Sequence, residues 1–178
     1  MAQTSKMQIA LKWGGIMAGG LILVSLLFYL MGMSEPSGAS SLINTLLSYV
    51  ISIGALVMGI SAYKQGNANN LSVGDGVVLG ILIALVGGIL VGIYTYIFVS
   101  FIDPSTIDAI KDQTLASANT EGMDADQAEM VEGMLGAVTS PAFMALMVVV
   151  MKFFLGLIVG LIAGLIMKNS KEEYPDLT

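Results

Sequence analysis

Residues 76–92 read GVVLGILIALVGGILVG, with a small residue at every fourth position: Gly76, Gly80, Ala84, Gly88 and Gly92. Glycine inside a helix is unfavourable by about 1 kcal/mol relative to alanine. A regular stripe of it in so apolar a segment therefore needs a compensating gain. Lipid tails are as apolar as leucine, so helices in a bilayer associate through close packing, and glycine lets two backbones approach. The stripe predicts a helix-packing surface inside a membrane.

The rest of the chain supports that reading. Apolar residues make up 56% of 178 and charged residues 11%, whereas soluble domains carry about a quarter charged residues. Mean hydropathy is +0.85, and the apolar residues come in long runs. Cysteine, histidine and arginine are absent. That excludes disulfides and thiolate sites, the commonest general base and the bidentate clamp for phosphate or carboxylate. A net charge of −6 without a basic cluster argues against nucleic acid. Neither a cofactor nor a metal is expected.

A helix needs about 20 apolar residues to cross the ~30 Å hydrocarbon core. Four segments qualify: about 11–33, 42–63, 76–102 and 141–167. The fold class read from the sequence is an all-α membrane protein, one integral membrane domain over 1–178. The apolar part of the first span is longer than the 7–15 residues of a signal peptide. We read it as an uncleaved anchor despite the small residues Ser37 and Ala39 beyond it.

With four crossings, Lys6, Lys12, Lys64, Lys168 and Lys171 share one side. The other side holds the short loop around Glu35 and Pro36 and a long loop over 103–140. The long loop carries Asp103, Asp108, Asp112, Glu121, Asp124, Asp126, Glu129 and Glu132 against Lys111, eight acids to one base, leaving −7. The positive-inside rule puts both termini in the cytoplasm, which for a bacterial chain makes this a multi-pass inner-membrane protein. Trp13 and Tyr63 then fall near the inner interface, and Phe28, Tyr29, Tyr49, Tyr94 and Tyr96 near the outer one, as amphipathic rings prefer.

The long loop has helical patterning and predicts an amphipathic helical hairpin. Asp103-Pro104 makes a helix start, with Ile107, Ile110 and Leu115 to share a face. Asp124 and Gln127 have capping-box spacing, and Ala128, Val131, Leu135 and Val138 follow at helical intervals. Ser140-Pro141 opens the last span. The stretch DADQAEMVEGML lacks the fifth-position ligand, central glycine and final glutamate of a calcium loop, so the acids read as a solvated face.

Every span carries small residues: Gly15 and Gly19; Ser48, Ser52, Ala55 and Gly59; the stripe of the third; and Gly156, Gly160 and Gly164 in the fourth. A four-residue spacing winds around its helix, so two or three members are expected to meet one partner and the long stripe to serve two neighbours. Packing within the chain is the plainer use, and a homo-oligomer seam the alternative.

Lys152, in MVVVMKFFLGL, is the one ionisable residue well inside an apolar run, and such a residue is a functional candidate. Its side chain could snorkel to the outer headgroups, pair with a carboxylate such as Asp103, or form a substrate or ion site.

ALKWGG (10–15), IYTYIFVSFIDP (93–104), the acidic loop and SPAFMALM (140–147) together give the chain a resemblance. It resembles the domain of unknown function 4199 family, small four-helix membrane proteins mostly of Bacteroidota. The resemblance implies an integral inner-membrane protein without catalytic residues to carry over, and by gene context an association with a membrane glycosyltransferase. With no acid–base or nucleophile set, and Asp103, Ser105 and Thr106 read as capping, the chain is read as a non-enzyme. The leading expectation is an accessory or scaffold subunit partnered by the bilayer and another membrane protein. The alternative is a small oligomeric transporter or channel.

The topology is directly testable because the chain has no cysteine. A single cysteine at Thr120→Cys should react with a membrane-impermeant maleimide added outside spheroplasts. Labelling only after permeabilisation would reverse the orientation.

Overall fold

A computed structural model describes residues 5–33, 38–117 and 125–169. The expectations about Glu35, Pro36, Ser37, Glu121, Asp124 and Lys171, and about the side chains of Asp126, Gln127, Ala128 and Glu132, lie outside the described residues. Six α-helices follow in order: α1 Lys6–Leu30, α2 Ala39–Gly66, α3 Val73–Ile97, α4 Ser105–Ser117, α5 Ala125–Val138 and α6 Pro141–Met167. A π-helical turn, Phe98–Ile102, extends α3. Four stretches, α1, α2, α3 with its π turn, and α6, are long and apolar enough to cross a membrane. The protein is an all-α membrane protein, in agreement with the sequence.

α3 begins three residues before the apolar run at Gly76. Ser72 and Asp75 form a capping box, in which the Ser72 hydroxyl accepts from the Asp75 amide at 3.0 Å and the Asp75 carboxylate accepts from the Ser72 amide at 3.2 Å. The box satisfies amides that the first turn leaves unpaired. α1 ends where Gly32 takes φ +66°. Met33 N–H reaches Phe28 O and Gly32 N–H reaches Tyr29 O, a Schellman closure that a left-handed glycine makes available.

α1 and α3 run parallel in one register from end to end. Lys6 meets Asp75, Ser25 meets Tyr94 and Tyr29 meets Phe98, each pair 69 residues apart. α2 and α6 run the other way, and their ends meet where Lys64 Nζ donates to Met167 O at 2.9 Å. An antiparallel backbone pair, Leu71 with Asn169, closes that lysine-rich end. The opposite end holds Tyr29, Tyr94 and Phe98 in edge and tilted ring contacts.

The seam between α3 and α6 is antiparallel and built from backbone. A Cβ added to Gly76 would lie 2.6 Å from the Gly164 Cα, and one added to Gly80 would lie 2.7 Å from the Gly160 Cα. Further along, Gly156 faces Ala84, Gly88 faces the stem of Lys152, and Gly92 faces Val149 and the Ala145 carbonyl. All five members of the α3 stripe thus meet the same helix, not two or three of them. α6 carries small residues at the same spacing, and a period longer than 3.6 favours right-handed wrapping that keeps both series in contact.

The second neighbour of α3 is α1, and it uses a different glycine. Gly87 faces the Gly14 carbonyl and Met17, and Gly14 in turn lies against Val86 and the Ile83 carbonyl. The expectation that Gly15 and Gly19 form the packing face of α1 is corrected: a Cβ at either would meet nothing. The buried face of α1 is Ile9, Ala10, Gly14, Met17, Ala18 and Leu21. Trp13 packs beneath Gly59, and its indole Nε1 is buried with no hydrogen-bond partner among the described residues.

The largest core cluster joins Leu56, Ile60 and Tyr63 of α2 to Leu79 and Ile83 of α3 and Val159 and Ala163 of α6. These residues belong to the lysine-rich half of the bundle. In the opposite half α2 is largely uncovered: Leu42, Leu46 and Val50 are each about two-thirds exposed. α4 packs against the π turn and α5 against α6. Ile107 and Ile110 of α4 are half-buried, and Leu135 of α5 is buried. Leu115 and Val138, which the sequence puts on the apolar faces of the same helices, are exposed.

Gly80→Leu should separate α3 from α6, whereas Gly15→Leu should be tolerated. Overpacking costs typically 1–3 kcal/mol and sometimes more, so Gly80→Leu is expected to lower stability in detergent by about 3 kcal/mol. A surface change typically stays within about 0.5 kcal/mol. Reversible unfolding in SDS followed by circular dichroism measures both.

Candidate functional site

Lys152 occupies a special place in the α3–α6 seam. Counting back along α6 in steps of four, Gly164, Gly160 and Gly156 are followed by Lys152. The lysine thus sits in the small-residue series, and only a glycine opposite leaves room for its stem. Gly88 supplies that room, since a Cβ there would lie 3.1 Å from the Lys152 Cβ.

From that position the ammonium reaches α2. Lys152 Nζ donates to Ser52 Oγ at 2.8 Å, and Ser52 Oγ donates to the Ser48 carbonyl at 2.7 Å. Ser52 is fully buried and is the fourteenth of the 28 residues of α2, so the charge sits level with the middle of that helix. It neither snorkels to an interface nor pairs with Asp103. The Cα–Cβ bond of Lys152 points into the seam, which directs the stem across the bundle toward α2.

Asp103 has a local role instead. Its carboxylate accepts hydrogen bonds from the Ser105 and Thr106 hydroxyls at the start of α4. Among the described residues the one ion pair joins Lys6 and Asp75 at 2.5 Å, at the lysine-rich end. Lys152 therefore has a neutral partner and no acidic one among the described residues. The same residues contain no group of three that could hold a metal ion.

Lys152 lines a cleft of about 400 Å³ between α2 and α6. One wall is polar, with Asn44, Thr45, Ser48 and Tyr49 of α2. The other is apolar, with Met151, Phe154, Leu155 and Ile158 of α6. The cleft forms because α2 and α6 run parallel and join tightly only toward their C-terminal ends. Ser48 and Ser52, read from sequence as packing residues, divide there. Ser52 is covered and Ser48 faces the opening. Asn44, Thr45 and Tyr49 were missed. The signal was present as polar residues at positions 41, 44, 45, 48 and 52, a helical stripe aimed at the level of Lys152.

The site is thus a cation, several hydroxyls and an amide beside an apolar wall. It can hold an acceptor-rich group, and among the described residues it offers no carboxylate or imidazole to move a proton.

A family model described as a protein of unknown function, DUF4199, matches residues 12–169. The chain belongs to the DUF4199 family. The match takes in α2, α3, α6 and all but the first six residues of α1, with both walls of the cleft, so the site lies wholly within the family domain. Comparison with curated proteins and with solved structures finds no match.

Interhelical hydrogen bonds in membranes contribute roughly 1 kcal/mol. Ser52→Ala is expected to lower stability by about that amount and to have almost no effect in a Lys152→Met background. A double-mutant cycle of SDS unfolding gives the coupling. Additive losses would mean the ammonium draws nothing from Ser52.

Proposed function

We propose that this DUF4199 protein is a non-enzymatic accessory subunit of another component of the bacterial inner membrane. It lies with both termini in the cytoplasm and holds a ligand for that component in the α2–α6 cleft. One observation carries the reading: a membrane-embedded cation without an acidic partner among the described residues lines a cleft open beside α2. A charge at this depth is unfavourable by about 2.5–3.5 kcal/mol on insertion scales, and a chain that keeps it calls for a complement from outside. The cleft contains a binding set and no catalytic set, so the chemistry belongs to a partner. The family resemblance proposes a membrane-associated glycosyltransferase for that partner.

A small oligomeric transporter is the second reading, favoured by the same lysine. Against it stands the half of the bundle below the cleft, where Leu56 and Ile60 are fully buried and leave no route onward. The glycine stripe is occupied within the chain, so an oligomer seam would have to use another face.

Photo-crosslinking in native membranes tests the proposal. A diazirine amino acid at Leu46 or Val50, on the uncovered face of α2, should yield one recurrent heterologous membrane protein by mass spectrometry. Recovery of the uncrosslinked monomer alone would overturn the accessory role, and recovery of self-crosslinks alone would favour the oligomer.

A further inference from the structure

We infer that the α2–α6 cleft binds the phosphate head of an anionic amphiphile that enters sideways from the outer leaflet, with its apolar chain running on past Lys152 along Phe154 and Ile158. The inference rests on the proposal that this cleft holds a ligand, and it names the ligand's class.

The order of residues along the cleft carries the argument. α2 and α6 both run from the acidic-loop end toward the lysine-rich end, as the meeting of Lys64 with Met167 at their C-terminal ends requires. Asn44, Thr45, Ser48 and Tyr49 therefore lie on the acidic-loop side of the Ser52–Lys152 contact, and Phe154, Leu155 and Ile158 lie beyond it. Polar groups come first, the cation next and apolar side chains last. A lipid of the leaflet on the acidic-loop side has the same order, head to chain.

Depth agrees with this. Ser52 is eight residues past Asn44, about 12 Å along a helix rising 1.5 Å per residue. Ser52 also sits at the midpoint of a helix about 42 Å long by the same rise, against a hydrocarbon core of about 30 Å. Asn44 then falls just below the headgroup layer and Lys152 near the centre. The polar wall of α2 spans the interval between them, giving a head group partners along its descent.

The donor set favours phosphate over carboxylate. Lys152 has three ammonium protons, of which Ser52 takes one. Asn44, Thr45, Ser48 and Tyr49 add an amide and three hydroxyls. A carboxylate presents two oxygens in one plane, whereas a phosphodiester presents two charged oxygens and two weaker ester oxygens in a tetrahedral arrangement, which suits donors that come from two helices. The attraction is charge-assisted on the cation side. Among the described residues no acid lines the cleft to repel an anion, and its volume of about 400 Å³ falls within the range of ligand sites. Lys152 adds no chemistry beyond holding the anion, so the amphiphile leaves unchanged unless a partner acts on it.

Native mass spectrometry of the full-length protein in detergent tests the inference. The probes are dioleoyl phosphatidylglycerol, dioleoyl phosphatidylcholine, oleate and inorganic phosphate. Both phospholipids offer the same phosphate, but the trimethylammonium of phosphatidylcholine opposes the lysine, so phosphatidylglycerol should bind about tenfold tighter, and the preference should vanish in Lys152→Met and survive in Lys152→Arg. Asn44→Leu, at a half-buried position of α2, should weaken phosphatidylglycerol without changing the thermal midpoint, and it provides the test should Lys152→Met fail to fold. Equal binding of the two phospholipids, or an unchanged preference in both Lys152→Met and Asn44→Leu, would overturn the inference. So would oleate binding as tightly as phosphatidylglycerol, inorganic phosphate competing at equal concentration, or a dimer that forms in place of lipid binding and requires Lys152. Lipid binding by the isolated chain is independent of any crosslinked neighbour, so the ligand and the accessory role can fail separately.

Discussion

Two backbones lie almost in contact where α3 crosses α6, and the arrangement of the other helices follows from that approach. In lipid there is little to gain by hiding one apolar side chain behind another, so a bundle is held where atoms pack closely. Gly76 and Gly80 against Gly164 and Gly160 give the closest fit that a polypeptide allows. With α6 on one side of α3, α1 takes the other through Gly87 and Gly14. The Gly87-Gly88 pair thus turns one glycine to each neighbour. α2 is left to pack with its C-terminal half, through Leu56, Gly59, Ile60 and Tyr63.

The cleft is the consequence of that incomplete coverage. α2 meets the bundle below Ser52 and stands away from α6 above it, and Lys152 lies where the two part. The lysine is accommodated by a glycine on one helix and a serine on another, so three helices combine to place a single charge. Ser52 serves in both directions, accepting a hydrogen bond from the ammonium and donating one to the Ser48 carbonyl. This is a neutral relay rather than an ion pair, and it leaves the site's charge available to whatever enters beside it. A leucine in place of Lys152 would suit the lipid better. The retained charge, the polar wall of α2 and the absence of a facing acid among the described residues belong to one arrangement.

The two ends of the bundle are fastened differently. At the lysine-rich end Lys6 with Asp75, Lys64 with the last carbonyl of α6, and Leu71 with Asn169 tie all four spans by polar contacts. At the other end the contacts are aromatic, Tyr29 and Tyr94 around Phe98, and they join α1 to α3 without reaching α2. The polar fastenings lie at the end away from the cleft's polar wall.

The number of spans, their alternation and the helical character of the acidic loop were legible in the sequence. Apolar run length, lysine placement and capping residues are properties of a segment and its bilayer, and they need no knowledge of neighbours. The third apolar run was read from Gly76, and its helix starts three residues earlier, at Val73, on the Ser72–Asp75 box. Lys152 was also legible, as a charge in an apolar run. Which faces meet was not: Gly14 packs while Gly15 and Gly19 face outward, one helix takes the whole α3 stripe, and Lys152 turns inward to Ser52. Periodicity gives each helix a pattern, but a face acquires a partner only from the three-dimensional register of the others. The amino-acid order by itself determined four lipid-spanning helices and one conspicuous cation. Only the tertiary structure decided that the cation would meet a serine beside an open polar cleft, because that contact depends on the fit of α3 to α6 and the divergence of α2.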